Sequence, residues 1–284
     1  MTALLAILSI GSMVLQNGLL NGVCKKVLKT SQQTNFFNVV QYAVCVLIFG
    51  VMMVTGSISW YTAGIGVLFG IVTALGRMYK LLALGRGPMH ITLLITTSSM
   101  IIPTLSGIFF GEGFSLAKFA VVVVLIACIY LSLGKQEGDN KFNGKWLLYC
   151  LISFVFLGLV GVLQKVHQTS AHKAETGGFL FVSFVCSMVF SLMRVGGAIK
   201  EMHFDKKVLL IGAVCGVCTY AMNDINLKLS GVLPTQLFFP LINGSAIVLS
   251  SLVSVVMYRE QLDKRQWIGL VGGILSLIGI CLVP

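Results

Sequence analysis

Residues 64–88 read GIGVLFGIVTALGRMYKLLALGRGP, and residues 210–234 read LIGAVCGVCTYAMNDINLKLSGVLP. The two stretches share one frame. Gly66-x-x-x-Gly70 falls on Gly212-x-x-x-Gly216, Gly85 on Gly231 and Pro88 on Pro234, all at a shift of 146 residues. The same shift carries Arg77 and Lys80 onto Asn223 and Asn226. At a shift of 148, Glu112 falls on Glu260 and Phe119 on Trp267. Small changes of loop length give such a drift. Several coincidences in one order predict two homologous halves, 1–134 and 146–284, joined by a connecting loop over 135–145.

Composition says where such halves reside. Of 284 residues, 57% are hydrophobic and 10% charged, and the mean hydropathy is +0.96. An average soluble domain is about a quarter charged. A soluble enzyme, a disordered chain and a nucleic-acid-binding domain are all excluded as good readings. A porin-type barrel would alternate apolar and polar residues over segments of about ten, and this chain does not. A spanning helix takes roughly 20 residues, so the length allows about ten. Apolar runs cover roughly 3–23, 36–55, 60–84, 89–110, 117–134, 146–166, 178–198, 208–230, 234–258 and 266–283. The first run has no basic leader segment and no evident small-x-small cleavage site, so it reads as a retained span.

Five spans per half is odd, so the second half starts on the opposite side of the membrane. The predicted fold is all-α and integral to the membrane, with ten transmembrane helices as two inverted five-helix repeats. Many secondary transporters are built this way. The net charge of +11 then reads as basic residues at helix ends, not as a nucleic-acid surface. Cys215 and Cys218 form a C-x-x-C inside an apolar run with no second pair at metal-site spacing, so no metal and no cofactor are expected. The partners expected are a small-molecule substrate and the lipid bilayer, with no nucleic acid, in a monomer or homodimer.

Polar residues inside the spans are the candidates for function, because ionisable groups in hydrocarbon face a cavity or a partner. Arg77 and Lys80, at i and i+3, share a helix face. They offer charge-assisted donors to a carboxylate or phosphate. Asn223 and Asn226 share the corresponding face of the later repeat, with Asp224 beside them. Asp224 has three candidate roles: holding a substrate amine, holding a proton, or pairing with Arg77. The rival reading of Arg77 and Lys80 is that they snorkel to the interface. Further candidates are Asn17 and Asn21 in the first run, Gln41 (with Asn38) in the second, Gln164 (with Lys165) in the sixth and Asn243 in the ninth. Interhelical hydrogen bonding is the competing role for each such amide, as it is for Gln16 and Gln236. The Gly-x-x-x-Gly pairs read as helix-packing surfaces, and Glu112 and Glu260 as turn or cap residues.

The stretches FFGEGFSLAKF (109–119) and MYREQLDKRQWIGLVGGILSLIG (257–279) carry a resemblance. In both, an apolar helix, a Glu, a short polar turn and a final apolar helix follow in order. The chain resembles the EamA-type members of the drug/metabolite transporter superfamily over its whole length. That resemblance implies a ten-helix transporter. Its central cavity would be lined by the first four helices of each half, with the fifth of each half at the periphery. The superfamily includes exporters of amino acids and other metabolites, and related branches carry nucleotide sugars and phosphorylated sugars. The function expected is therefore alternating-access transport of a small polar metabolite, amino-acid-like or anionic. The alternatives are export of cationic or amphipathic drugs, or a membrane-embedded enzyme or receptor. No enzymatic activity is expected, and the location expected is the cell membrane, multi-pass, in a bacterial inner membrane.

Basic residues are divided unevenly between the two sides. The side holding both termini takes four of the twenty Lys and Arg: Lys118, Lys165, Lys173 and Lys228. The positive-inside rule then places the other sixteen in the cytoplasm and the termini outside, whereas the resemblance implies termini inside.

Overall fold

The computed structural model describes residues 2–26, 30–53, 56–84, 89–132, 144–196, 205–258 and 263–282. They form α1 (Thr2–Lys26), α2 (Ser31–Met52), α3 (Trp60–Leu84), α4 (Met89–Ser98), α5 (Ile101–Ser106), α6 (Leu116–Ser132), α7 (Gly144–Thr169), α8 (Thr176–Val195), α9 (Lys206–Val232), α10 (Thr235–Tyr258) and α11 (Lys264–Leu282). A 3-10 segment, Gly107–Phe110, follows α5. No strand occurs among the described residues. Seven helices there are long and apolar enough to cross a membrane, and three shorter apolar helical segments accompany them. The chain is an all-α, multi-pass membrane protein. Helices are what hydrocarbon permits, because each satisfies its own backbone hydrogen bonds.

Local sequence sets several ends. α2 starts on a capping box: Gln33 N–H donates to Thr30 Oγ1 at 3.2 Å, and Thr30 N–H donates to Gln33 Oε1 at 3.1 Å. Asp263 and Gln266 repeat the exchange before α11, at 2.7 and 2.9 Å. Each pair satisfies donors that a helix start otherwise leaves orphaned. The sequence reads 89–110 as one span, but the structure divides it between α4 and α5. Pro103 is the cause. It has no N–H for the Ser99 carbonyl, which instead takes Ile102 N–H at 3.1 Å.

The chain folds as two compact units. The first contains residues 1–75 and 163–231, hence α1, α2, most of α3, the end of α7, α8 and α9. Here α2 packs along α8. The glycine pairs make two further contacts, and they correspond residue by residue. On α3, a Cβ at Gly66 would sit 3.0 Å from Phe179 O and 3.2 Å from Val182 Cβ, and one at Gly70 would sit 2.5 Å from Ser183 O and 2.8 Å from Cys186 Cβ. On α9, Gly212 meets Phe37 and Val40 of α2, and Gly216 meets Gln41 O and Val44. The partners Phe37, Val40, Gln41 and Val44 lie 142 residues before Phe179, Val182, Ser183 and Cys186. Thus α3 lays its two glycines on α8, and α9 lays its two on α2, at positions that correspond at one sequence shift. Ser187 Oγ adds a bond to Gly70 O at 3.0 Å.

The second unit contains residues 76–162 and 232–284. There α6 packs along α11. The two helices approach closely because Gly269 is bare. A Cβ there would stand 2.6 Å from Cys128 O. α10 packs against α5, α6 and α11. α7 meets the end of α3 where Ser153 Oγ donates to Gly76 O at 3.0 Å and Leu157 lies over Gly76.

Candidate functional site

In the first unit the amides of α1 and α2 form a buried knot. Gln16 Nε2 donates to Thr219 Oγ1 at 2.7 Å, Gln41 Oε1 at 3.1 Å and Cys215 O at 3.4 Å. Gln41 in turn donates to Asn38 Oδ1 at 3.4 Å. Gln41 is 1% exposed. This arrangement is interhelical glue of the kind polar groups supply in membranes. Asn226 accepts a hydrogen bond from the Ser9 hydroxyl at 2.5 Å. Asn223 Nδ2 donates to Thr219 O of its own helix at 2.8 Å. Asn17 lies on an exposed face of α1. The side chain of Asn21 lies outside the described residues.

Asp224 pairs with Lys228, one turn along α9, at 2.7 Å. This places its ion pair on its own helix, where the sequence offered Arg77 as one candidate partner. The other carboxylate oxygen, Oδ1, is buried and makes no hydrogen bond among the described residues. Gln164 is buried near the end of α7, and its neighbour Lys165, 5% exposed, donates to Ser230 O at 2.9 Å. The amine therefore rests on a carbonyl in the last turn of α9, where a helix carries partial negative charge.

The sequence reads the sixth span as ending at residue 166, but α7 continues to Thr169. His167 and Gln168, expected in a loop, are thereby helical and buried. The imidazole stacks on Phe179 at 4.4 Å between centroids. Just beyond, Glu175 accepts from Ser59 N–H at 2.9 Å, from Ser59 Oγ at 2.8 Å and from His172 Nδ1 at 3.2 Å. The Thr62 hydroxyl foremost, then Ser59 and His172, hold the Glu175 carboxyl down at about 2, against an ordinary 4.5. Its charge also sits at the start of α3, where the helix dipole favours an anion. Sequence reasoning missed Ser59, Thr62, His167, Gln168 and Glu175. The available signal was the polar set His-Gln-Thr-Ser-Ala-His-Lys-Ala-Glu over 167–175.

In the second unit Arg77 and Lys80 are half-buried near the end of α3. They follow the Gly76 carbonyl that takes the Ser153 hydroxyl. Tyr79, between them, faces Tyr149 of α7 at 5.7 Å. Asn243 Nδ2 is bonded back to Phe239 O at 2.9 Å. Glu112 has the cap role expected of it: Thr235 N–H and Thr235 Oγ1 both donate to its Oε2 at 2.7 Å, at the start of α10. Glu260, Gly85 and Pro88 lie outside the described residues. Thr96 Oγ1 donates to Thr92 O at 2.9 Å, so that hydroxyl bonds back to its helix. Among the described residues no group of three His, Cys, Asp or Glu is placed to hold a metal ion.

The sequence-named residues thus divide between the units. Asn17, Asn21, Gln41, Gln164, Asn223, Asp224 and Asn226 belong to the first, and Arg77, Lys80 and Asn243 to the second.

Residues 144–282 match the EamA-like transporter family. An uncharacterized protein of Haemophilus influenzae is 23% identical over 177 residues, which span 61% of this chain and 60% of that protein. A protein of known crystal structure superposes with a TM-score of 0.70 at 15% identity, covering 99% of each chain. At that identity the likeness concerns the fold alone.

Proposed function

We propose that this chain, whose residues 144–282 match the EamA-like transporter family, is a secondary transporter of a small polar metabolite. It works by alternating access as two inverted five-helix halves, 1–134 and 146–284. The observation that carries this reading is the reciprocal glycine contact. Gly66 and Gly70 of α3 lie on α8, and Gly212 and Gly216 of α9 lie on α2, at matching positions. Two halves that exchange the same contact in both directions have the symmetry that lets a protein open to either side in turn.

Arg77 and Lys80 are the residues we assign to the solute. An arginine in a span needs a functional reason. Its planar fork suits a carboxylate or phosphate in a way lysine does not reproduce. The solute is therefore amino-acid-like or anionic. Asn17, Asn21, Gln41, Gln164, Asn223, Asp224, Asn226 and Asn243 are the candidates for its polar complement. No catalytic step is proposed. The chain acts as a monomer or homodimer in a bacterial inner membrane, with the sixteen-residue basic side in the cytoplasm.

A thermal-shift screen of the purified chain tests the solute class, because a specific ligand stabilises the folded state. Amino acids, phosphorylated metabolites and cationic drugs form the panel. Stabilisation by carboxylates or phosphates, lost in Arg77→Ala, is the expected result. Stabilisation by cationic drugs alone, unaffected by Arg77→Ala, overturns the assignment.

A further inference from the structure

Asp224 is the one buried carboxylate among the described residues. It sits inside an apolar span, about two turns before the end of α9. A charge in that position needs a partner or a function. Lys228 supplies part of one. Its ammonium donates to Oδ2 at 2.7 Å, while Oδ1 is buried and takes no hydrogen bond among the described residues. An ionised carboxylate offers about four lone-pair sites, so this one is under-filled. The nearby donors are engaged elsewhere. Asn223 Nδ2 serves Thr219 O at 2.8 Å, and Asn226 takes the Ser9 hydroxyl. On α7, Lys165 is directed at Ser230 O.

Two features make Lys228 a replaceable occupant. Its side chain is 48% exposed and that of Asp224 only 12%, so the open side of the pair is the amine's. It also lies one turn from the end of α9, so its long stem reaches the interface when the amine lets go. A half-exposed pair at i and i+4 is weakly held. Tyr220 stands one turn before Asp224 on the same face of the helix. Phe49 packs on its ring at 4.9 Å between centroids, and its hydroxyl donates to Met52 Sδ at 3.6 Å. Aromatic rings are good neighbours for ammonium groups.

The group that fits is shown by the group already there, a primary ammonium. We infer that Asp224 receives a primary ammonium group of the solute, which displaces Lys228 from Oδ2. An untethered ammonium brings three N–H donors and can bridge Oδ2 and Oδ1, where Lys228 reaches one oxygen. The inference rests on the transport reading and narrows its solute from amino-acid-like or anionic to amino-acid-like. A deaminated or N-acylated analogue leaves the carboxylate to Lys228.

Thermal shift of the full-length protein in lipid nanodiscs tests this with matched probes. Amino acids are compared with the hydroxy acids that carry a hydroxyl in place of the ammonium. Butylammonium, which is the lysine side chain without its backbone, is compared with tetramethylammonium, which has no N–H. The ammonium member of each pair should raise Tm saturably and its counterpart should not. In Lys228→Met the concentration giving half the shift should fall about fivefold, because the internal competitor is gone. In Asp224→Asn, which keeps the shape and removes the charge, the members of each pair should act alike. Equal action of the paired probes on the wild type overturns the inference without any variant, as does the absence of a shift with every ammonium probe. A preference that survives in Asp224→Asn, or an unchanged half-saturation in folded Lys228→Met, overturns it as well. The transport reading fails separately, on the absence of counterflow with any solute.

Discussion

Glu175 holds Ser59 by two bonds at once, taking its backbone N–H at 2.9 Å and its hydroxyl at 2.8 Å. The contact ties the segment before α8 to the start of α3, two helices that then run together along Gly66 and Gly70. Hydrogen bonds from Thr62 foremost, then Ser59, hold the carboxyl down to about 2 against an ordinary 4.5. A depressed folded value means stability that is complete above the ordinary value and is lost as pH falls from about 5 toward 2. Thermal unfolding of the wild type should show that loss. Glu175→Gln should lower Tm at neutral pH and flatten the acid limb. An unchanged acid limb in Glu175→Gln means that the contact carries no stability.

The two kinds of glycine on α3 should respond oppositely to one methyl group. At Gly70 a Cβ would stand 2.5 Å from Ser183 O, whereas at Gly64 nothing lies within 4 Å. Overpacking a tight contact costs about 1–3 kcal/mol. An open helical glycine gains about 0.5–1 kcal/mol from alanine. Gly70→Ala and Gly216→Ala should therefore lower the stability of the purified protein, and Gly64→Ala should raise it. Equal effects at Gly64 and Gly70 would mean that α3 and α8 do not meet there.

These glycines also mark how far the sequence could be read. Gly66, Gly70, Gly212 and Gly216 stand out because a missing side chain at a fixed spacing survives divergence as a pattern. The faces that receive them do not. Phe37 and Phe179 match, and so do Val40 and Val182, but Gln41 answers to Ser183 and Val44 to Cys186. A backbone carbonyl makes much of that contact, and any residue supplies one. The division of α4 from α5 was signalled by Pro103, yet apolar character alone joined the two. His167 was hidden by its polarity, which assigned it to a loop while α7 continued past it. The amides were legible as candidates only. Whether Gln41 binds a solute or joins Gln16 depends on helix rotation, which composition does not fix.

Gln16 makes that distinction measurable. Its amide nitrogen serves Thr219, Gln41 and Cys215 O. Interhelical hydrogen bonds in membranes average about 0.6 kcal/mol and reach about 1.7. Gln16→Met should lose stability in that range, with little further loss when Gln41→Met is added, because the two share one bond. Additive losses would show that the amides act independently.

Asp224 and Lys228 should behave as a unit. Lys228→Met leaves the carboxylate buried without its cation, which is the costly way to break such a pair. Asp224→Asn, added to Lys228→Met, should recover much of the lost thermal stability. A double variant no more stable than Lys228→Met means that the 2.7 Å contact is incidental.

Solute counterflow in proteoliposomes tests transport itself. The purified chain is loaded inside with an unlabelled carboxylate or phosphate solute found in the thermal-shift screen. Labelled solute is then presented outside at low concentration. The wild type should accumulate label transiently and saturably. Arg77→Ala and Arg77→Lys should both abolish that accumulation while the protein remains folded. Saturable counterflow that survives in both variants would remove Arg77 from the solute site. No counterflow by the folded wild type would contradict the transporter reading as a whole.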